Sequence, residues 1–189
     1  MILCEKFEKM LAFYGAPTLA GIKDGTVISL QKKNFSEWKS LMEEYNQCLN
    51  CKGIEITTLV ETERYILLFI YQEKDLAKTL KEDRIALFLQ RLGYDIEASL
   101  KDKIEHLKLR MRIKKDFPHE IGLFLGFPYD DVVGFLKYNG KNFKMNGYWK
   151  VYTNVYNAEQ IFHKYTRCSE IFCRRLQKGE SLLNLLKVG

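Results

Sequence analysis

The chain has 189 residues, of which 47% are hydrophobic, 29% charged and 13% aromatic, with a formal net charge of +6. Those values exclude an extensively disordered chain, and the length allows a full core without disulfide staples. The longest apolar run, residues 65–71, is far too short to span a bilayer, and Glu5 and Lys6 leave no apolar leader, so a cytoplasmic protein is expected.

Leu3, Phe7, Met10, Leu11 and Tyr14 recur at helical spacing, and Gly15 with Pro17 reads as the stop of an opening amphipathic helix. Lys23, Asp24 and Gly25 turn the chain into a strand over 26–31. Asn34 and Glu37 have capping-box spacing for a helix running to about residue 49, with Trp38, Leu41, Met42, Tyr45 and Cys48 as its buried stripe and Gly53 beyond its end. Residues 54–60 and 64–71 are rich in β-branched and aromatic side chains. The three-residue connector 61–63 predicts an antiparallel hairpin whose second, almost wholly apolar strand is central. Residues 74–92 read as a helix in two pieces ended by Gly93. A further helix over about 98–113 carries the stripe Leu100, Ile104, Leu107 and Met111. The basic and apolar alternation over 108–115 also fits an edge strand, but the stripe leading into it favours the helix.

Pro118 and Pro128 each read as the first residue of a short helix, because a proline there forfeits no intrahelical hydrogen bond. The first helix would run to Gly126, with Gly122 and Gly126 opening a shallow groove for another backbone. The second would run to about residue 138. Asn139-Gly140 and Asn146-Gly147 are turn dipeptides, and the latter would pair 141–145 with 148–153 across a two-residue loop. Strand alternation would then put Tyr148, Lys150 and Tyr152 on one face and Trp149 and Val151 on the other. A long helix over 156–177, with the stripe Ala158, Ile161, Phe162, Tyr165, Cys168 and Phe172, ends at Gly179, and residues 182–186 add an apolar tail. Together these elements predict an α+β fold in a single domain over residues 1–189: a mainly antiparallel sheet of four or five strands flanked by helices.

The polar residues of 117–152 carry the candidate chemistry. Near a helix N-terminus the positive dipole end favours a neutral imidazole, so His119 fits a general acid or base; a structural histidine fits the same place. Glu120, third after Pro118, reads as a cap, and Asp130 and Asp131 sit where a helix dipole favours anions. His119, Glu120 and Asp131 are therefore the catalytic candidates, each with a structural alternative. An aromatic-and-lysine face of Lys150 and Tyr152 would meet an anionic or planar ligand, or would be an edge strand with a snorkelling lysine. The pair of short helices invites a DNA-binding reading, but Asp130 and Asp131 would be aimed at phosphates. There is no nucleophile motif, dinucleotide-binding glycine pattern or phosphate loop.

Five cysteines at irregular spacing predict reduced thiols; a metal centre at Cys48-x-x-Cys51 would need further ligands, which only Cys4, Cys168, Cys173 and the histidines could supply, and Cys48 reads more simply as a small core residue, so no metal is expected and no cofactor is specified. Residues 1–100 carry 13 Lys and Arg against 15 Asp and Glu, whereas 101–189 carry 17 against 9. That basic C-terminal half, 101–189, suggests an acidic partner: nucleic acid, a phosphorylated small molecule or an acidic protein.

The runs HEIGLFLGFPYDDVVGFL (119–136) and GYWKVY (147–152), with the Cys168-containing helix and the early APTLAGIKDG (16–25), resemble a family defined only as a domain of unknown function from anaerobic Gram-positive bacteria. The resemblance covers most of the chain. It implies an iron or redox context, with flavodoxin or iron-related genes nearby, and an acidic flavodoxin would suit the basic half. It also singles out Lys23, His119, Glu120, Asp131, Lys150 and Tyr152, with Lys23, Lys150 and Tyr152 as the ligand-binding positions, and implies no catalytic role for any of them. The leading expectation is an accessory protein that binds an anionic ligand or an acidic redox partner such as flavodoxin. The alternatives are an enzyme in which His119 is the general acid or base and Glu120 or Asp131 orients it, and nonspecific nucleic-acid binding through residues 101–115.

Overall fold

The computed structural model describes residues 2–113 and 117–186. Leu3 in the opening stripe and Lys114 and Lys115 in the basic run lie outside the described side chains. The chain forms two compact units, Met1–Lys74 with Tyr165–Gly189, and Asp75–Lys164.

In the first unit, α1 (Ile2–Met10) passes through a π-helical turn, Leu11–Gly15, directly into α2 (Ala16–Leu19). Gly15 and Pro17 therefore do not stop the helix. Pro17 falls in the first turn of α2, where its missing N–H costs nothing. Gly15 packs closely on the sheet, since a Cβ there would lie 3.2 Å from Ile70 Cδ1. The wide turn also shifts the helical phase, so Ala12 and Gly15 are buried while Tyr14 is exposed.

β1 (Gly25–Gln31) leads through a 3₁₀ turn, Lys32–Asn34, to α3 (Trp38–Leu49). The expected capping box does not form: the 3₁₀ turn takes up Asn34, and Glu37 precedes the helix with no side-chain cap bond. The buried stripe is Trp38, Leu41, Tyr45 and Leu49. Cys48 is exposed, because a period of 3.6 returns the buried face to residue 49 after residue 45. Gly53, with φ +72°, closes the 3₁₀ turn Asn50–Lys52 before β2 (Ile54–Glu61) and β3 (Tyr65–Gln72). The strands are ordered β1-β3-β2, all antiparallel, with β3 central as its apolar run requires. One sheet face (Ile28, Ile56, Leu68, Ile70) joins Phe7, Leu11, Tyr45 and Leu49 in a common core, which Phe172, Leu182 and Leu185 complete.

α4 (Glu73–Thr79) leads into the second unit, followed by α5 (Asp83–Arg91), Gly93 at φ +89°, and α6 (Leu100–Ile113). Ile104 and Leu107 are buried on α6, and so is Lys103, whose Nζ donates to the Ile96 and Ala98 carbonyls at 2.7 and 2.9 Å. α7 (Ile121–Phe124), α8 (Tyr129–Lys137), β4 (Met145–Asn146) and β5 (Lys150–Val151) follow. α9 (Val155–Gln177) carries the chain back to the first unit, where Ser181 caps α10 (Leu182–Leu185).

The class is α+β, and every described strand pairing is antiparallel, divided between a three-stranded sheet and a two-stranded hairpin. The hairpin strands are short because Asn139, Gly140 and Asn142 are left-handed, at φ 50°, 71° and 56°, which breaks extended backbone over the start of the expected strand. Among the described residues, no helix is long and apolar enough to cross a membrane. All five cysteines are free, and the Cys51 thiol donates to the Cys48 carbonyl at 3.0 Å.

Candidate functional site: an aromatic cavity in the second unit

Pro118 does not begin a helix. Residues 118–120 form a turn, and α7 starts at Ile121 with Glu120 as its N-cap residue. Gly126, at φ +72°, ends α7 from outside the helix, so it does not share a helical groove with Gly122. Gly122 does allow a close approach: a Cβ there would meet Val132 Cγ2 of α8 at 2.9 Å and Phe127 at 3.2 Å. Pro128 is the N-cap residue of α8, and Asp130 and Asp131 occupy its first turn. Asp130 points outward to Arg84.

Glu120 does not cap the helix. Its side chain is 4% exposed and forms an ion pair with Arg110 of α6, whose own side chain is 16% exposed. The Tyr94 hydroxyl also donates to Glu120, at 3.4 Å, and Arg110 Nη1 donates to the Leu92 carbonyl at 3.0 Å. Burial, reinforced by the Glu120 charge, holds the Tyr94 hydroxyl well above the ordinary tyrosine range.

Asp131 is buried with both oxygens in use. Oδ2 accepts from Trp149 Nε1 at 2.7 Å, and Oδ1 accepts from the backbone N–H groups of Tyr152 and Thr153 and from Thr153 Oγ1, at 2.9, 3.0 and 2.9 Å. One carboxylate thereby ties α8 to the hairpin and the segment after it.

The hairpin register is Met145↔Val151 and Asn146↔Lys150. Its loop is therefore residues 147–149, three residues long, not the two-residue Asn146-Gly147 turn. Phe162 explains the glycine, since its ring occupies the space a Cβ on Gly147 would need. The register buries Trp149 and leaves Tyr148 exposed. Tyr152 does not share an open face with Lys150. It lies beyond β5, only 7% exposed, with its ring against Gly134 and stacked on Tyr138 at 5.8 Å.

These elements enclose a cavity of about 430 Å³. Phe117, Phe127, Phe135, Tyr148 and Trp149 supply aromatic walls, and His119, Asp131 and Lys150 add an imidazole, a carboxylate and an ammonium. The imidazole of His119 lies 5.0 Å from the Phe135 ring. Lys150 Nζ donates to the Gly140 carbonyl at 2.7 Å and sits 5.5 Å and 5.0 Å from the Phe135 and Phe143 ring centroids. The left-handed Asn139-Gly140 turn carries the carbonyl that holds it. An ammonium has three donors, and the Gly140 bond uses one.

Three of the six residues singled out from the sequence thus share this cavity: His119, Asp131 and Lys150. Glu120 and Tyr152 are buried beside it without lining it. Lys23 belongs to the first unit. Its Nζ donates to Thr26 Oγ1 at 3.2 Å, lies over the Tyr165 ring at 5.9 Å, and is pulled down to about 8 by burial, which the Asp24 charge only partly offsets. Sequence reasoning missed the wall residues Phe117, Phe127 and Phe135. Their signal was the aromatic density of 117–135, which a helix-stripe reading assigns to the core.

Much of the basic run on α6 is already engaged. Lys103 is buried, Lys108 pairs with Glu105 at 2.6 Å, and Arg110 pairs with Glu120.

An α+β chain with an aromatic cavity beside a hairpin is the class these observations define. Residues 11–186 match the family model described as "Protein of unknown function (DUF3793)", and the chain belongs to that family. No curated protein and no solved structure matches it.

Proposed function

We propose that this is a binding protein whose second-unit cavity takes a small molecule with an apolar or aromatic body and an anionic end. The observation that carries the reading is that Lys150 and His119 both line a cavity whose walls are largely aromatic. Apolar walls with a few convergent polar groups are the usual build of a ligand site, and the walls supply affinity while the polar groups fix orientation. Lys150 is held by a carbonyl and two rings, so little side-chain freedom is lost when an anion arrives.

Catalysis by His119 is the second reading, and it has less support. A general base needs an orienting partner, yet Glu120 is bonded to Arg110 and Tyr94, and Asp131 to Trp149, Tyr152 and Thr153. The acidic redox partner, flavodoxin-like or otherwise, rests on the charge of residues 101–189, and nonspecific nucleic-acid binding rests on a run whose bases are partly engaged.

The test uses the aromatic sulfonate 1-anilinonaphthalene-8-sulfonate as a fluorescent probe of the intact protein. One saturable site is expected, weakened by roughly tenfold in a Phe117→Ala, Lys150→Met double variant that melts like the parent. Unchanged binding in that variant would remove the proposal.

A further inference from the structure

We infer that the cavity is selective for planar aromatic monocarboxylates over phosphate esters and over neutral rings of the same shape. The inference rests on the binding reading above and narrows it to a ligand class.

The shape argument comes from the walls. Phe127 and Trp149 pack on one another with centroids 5.2 Å apart at 31°, which fixes an aromatic wall, and the Phe135 ring forms another part of the lining. Ring faces favour a flat body through offset stacking, and a cavity of about 430 Å³ suits one or two fused rings with a short substituent.

The charge argument comes from counting ionic groups. Among the described residues that line the cavity, Lys150 is the single lysine or arginine, while Asp131 contributes a carboxylate to the same lining. A carboxylate's one charge is matched by Lys150, with the His119 ring as an adjacent hydrogen-bonding group. The second charge of a phosphate finds no further lysine or arginine in the lining, to which Asp131 adds a negative charge. Nor does the start of α8 offer a phosphate cradle, because Asp130 and Asp131 already place negative charge in its first turn. A neutral ring gains the walls and forgoes the ammonium.

Isothermal titration of the full chain with 2-naphthoate, 2-naphthyl phosphate and 2-naphthol, at about pH 8 where the phosphate is doubly ionised, separates these terms. The naphthoate is expected to bind at least roughly tenfold more tightly than either analogue. Lys150→Met is expected to remove the preference for naphthoate over naphthol while leaving naphthol within about twofold. Naphthyl phosphate binding as tightly as naphthoate would overturn the inference while leaving the binding reading standing, whereas naphthol doing so, or a preference that survives Lys150→Met, would overturn the inference and remove the anionic end from that reading as well. Binding of none of the three would overturn both. The comparison of three probes on the unaltered protein stands even if the variant fails to fold.

Discussion

Trp149 donates its indole N–H to Asp131 at 2.7 Å, joining the loop of the hairpin to the first turn of α8. The same carboxylate accepts three further hydrogen bonds from Tyr152 and Thr153. Asp131→Ala would leave the indole and two backbone donors without this acceptor. A loss of about 3–5 kcal/mol is expected, read from the urea midpoint at constant m-value. Asp131→Asn, with one acceptor oxygen, should fall between the two. A loss below about 1 kcal/mol in the alanine variant would mean that the carboxylate does not hold the hairpin.

Glu120 and Arg110 are both largely out of water. Removing one partner strands a charge, so Glu120→Ala should cost about 3–5 kcal/mol. Replacing both by Met should recover much of that loss, because two apolar side chains carry no desolvation penalty. A double-mutant cycle in urea checks this, and equal losses for the single and double variants would refute it.

Lys23 leads to a prediction about pH. Burial lowers its ammonium from 10.5 to about 8, so between those values the unfolded chain holds a proton that the folded chain has released. Stability from this group is complete above the unfolded value and is lost as pH falls through about 8. Unfolding free energy should therefore climb from about pH 8 towards 10, by at most about 1.4 kcal/mol per unit. Burial acts oppositely on Tyr45 and Tyr94, whose hydroxyls it raises. Above about pH 10 the unfolded tyrosines ionise first and stability should turn down. Lys23→Met should reduce the climb, leaving the share of Lys103, which burial also lowers, and keep the decline; an unchanged climb in that variant would show that Lys23 does not cause it.

Gly134→Ala should destabilise α8 although alanine is the better helix former. The added Cβ would lie 2.6 Å from Cγ of Tyr152. Overpacking of that kind costs about 1–3 kcal/mol, against a propensity gain of about 1 kcal/mol. Calorimetry should show a lower melting temperature, with the deficit reduced in a Tyr152→Val background. A rise in melting temperature would mean that the Tyr152 ring moves aside freely.

The elements legible in the sequence were those set by local periodicity. The β2–β3 hairpin, the central place of β3, and α5 and α6 follow from side-chain alternation and stripes that any short window displays. What escaped depends on partners distant along the chain. Glu120 has the spacing of a cap, and only the return of Arg110 and Tyr94 converts it to a buried ion pair. Tyr152 looked like the next residue of a two-faced strand, but Asp131 captures its N–H and Gly134 makes room for its ring. The glycine in the loop between β4 and β5 is explained by Phe162, fifteen residues beyond Gly147. For the cavity, His119 and Lys150 stood out as polar groups among apolar ones, while its walls were indistinguishable from core.

His119 and Glu120 are neighbours in sequence facing different surroundings, one exposed at the cavity and the other sealed inside against Arg110. The peptide between them joins a residue that lines the cavity to one held in a buried ion pair. A substitution at Arg110 that frees Glu120 is expected to disturb His119 through the chain without altering a residue that lines the cavity. On the proposed binding reading, α6 is a place from which affinity is altered without changing a residue that lines the cavity.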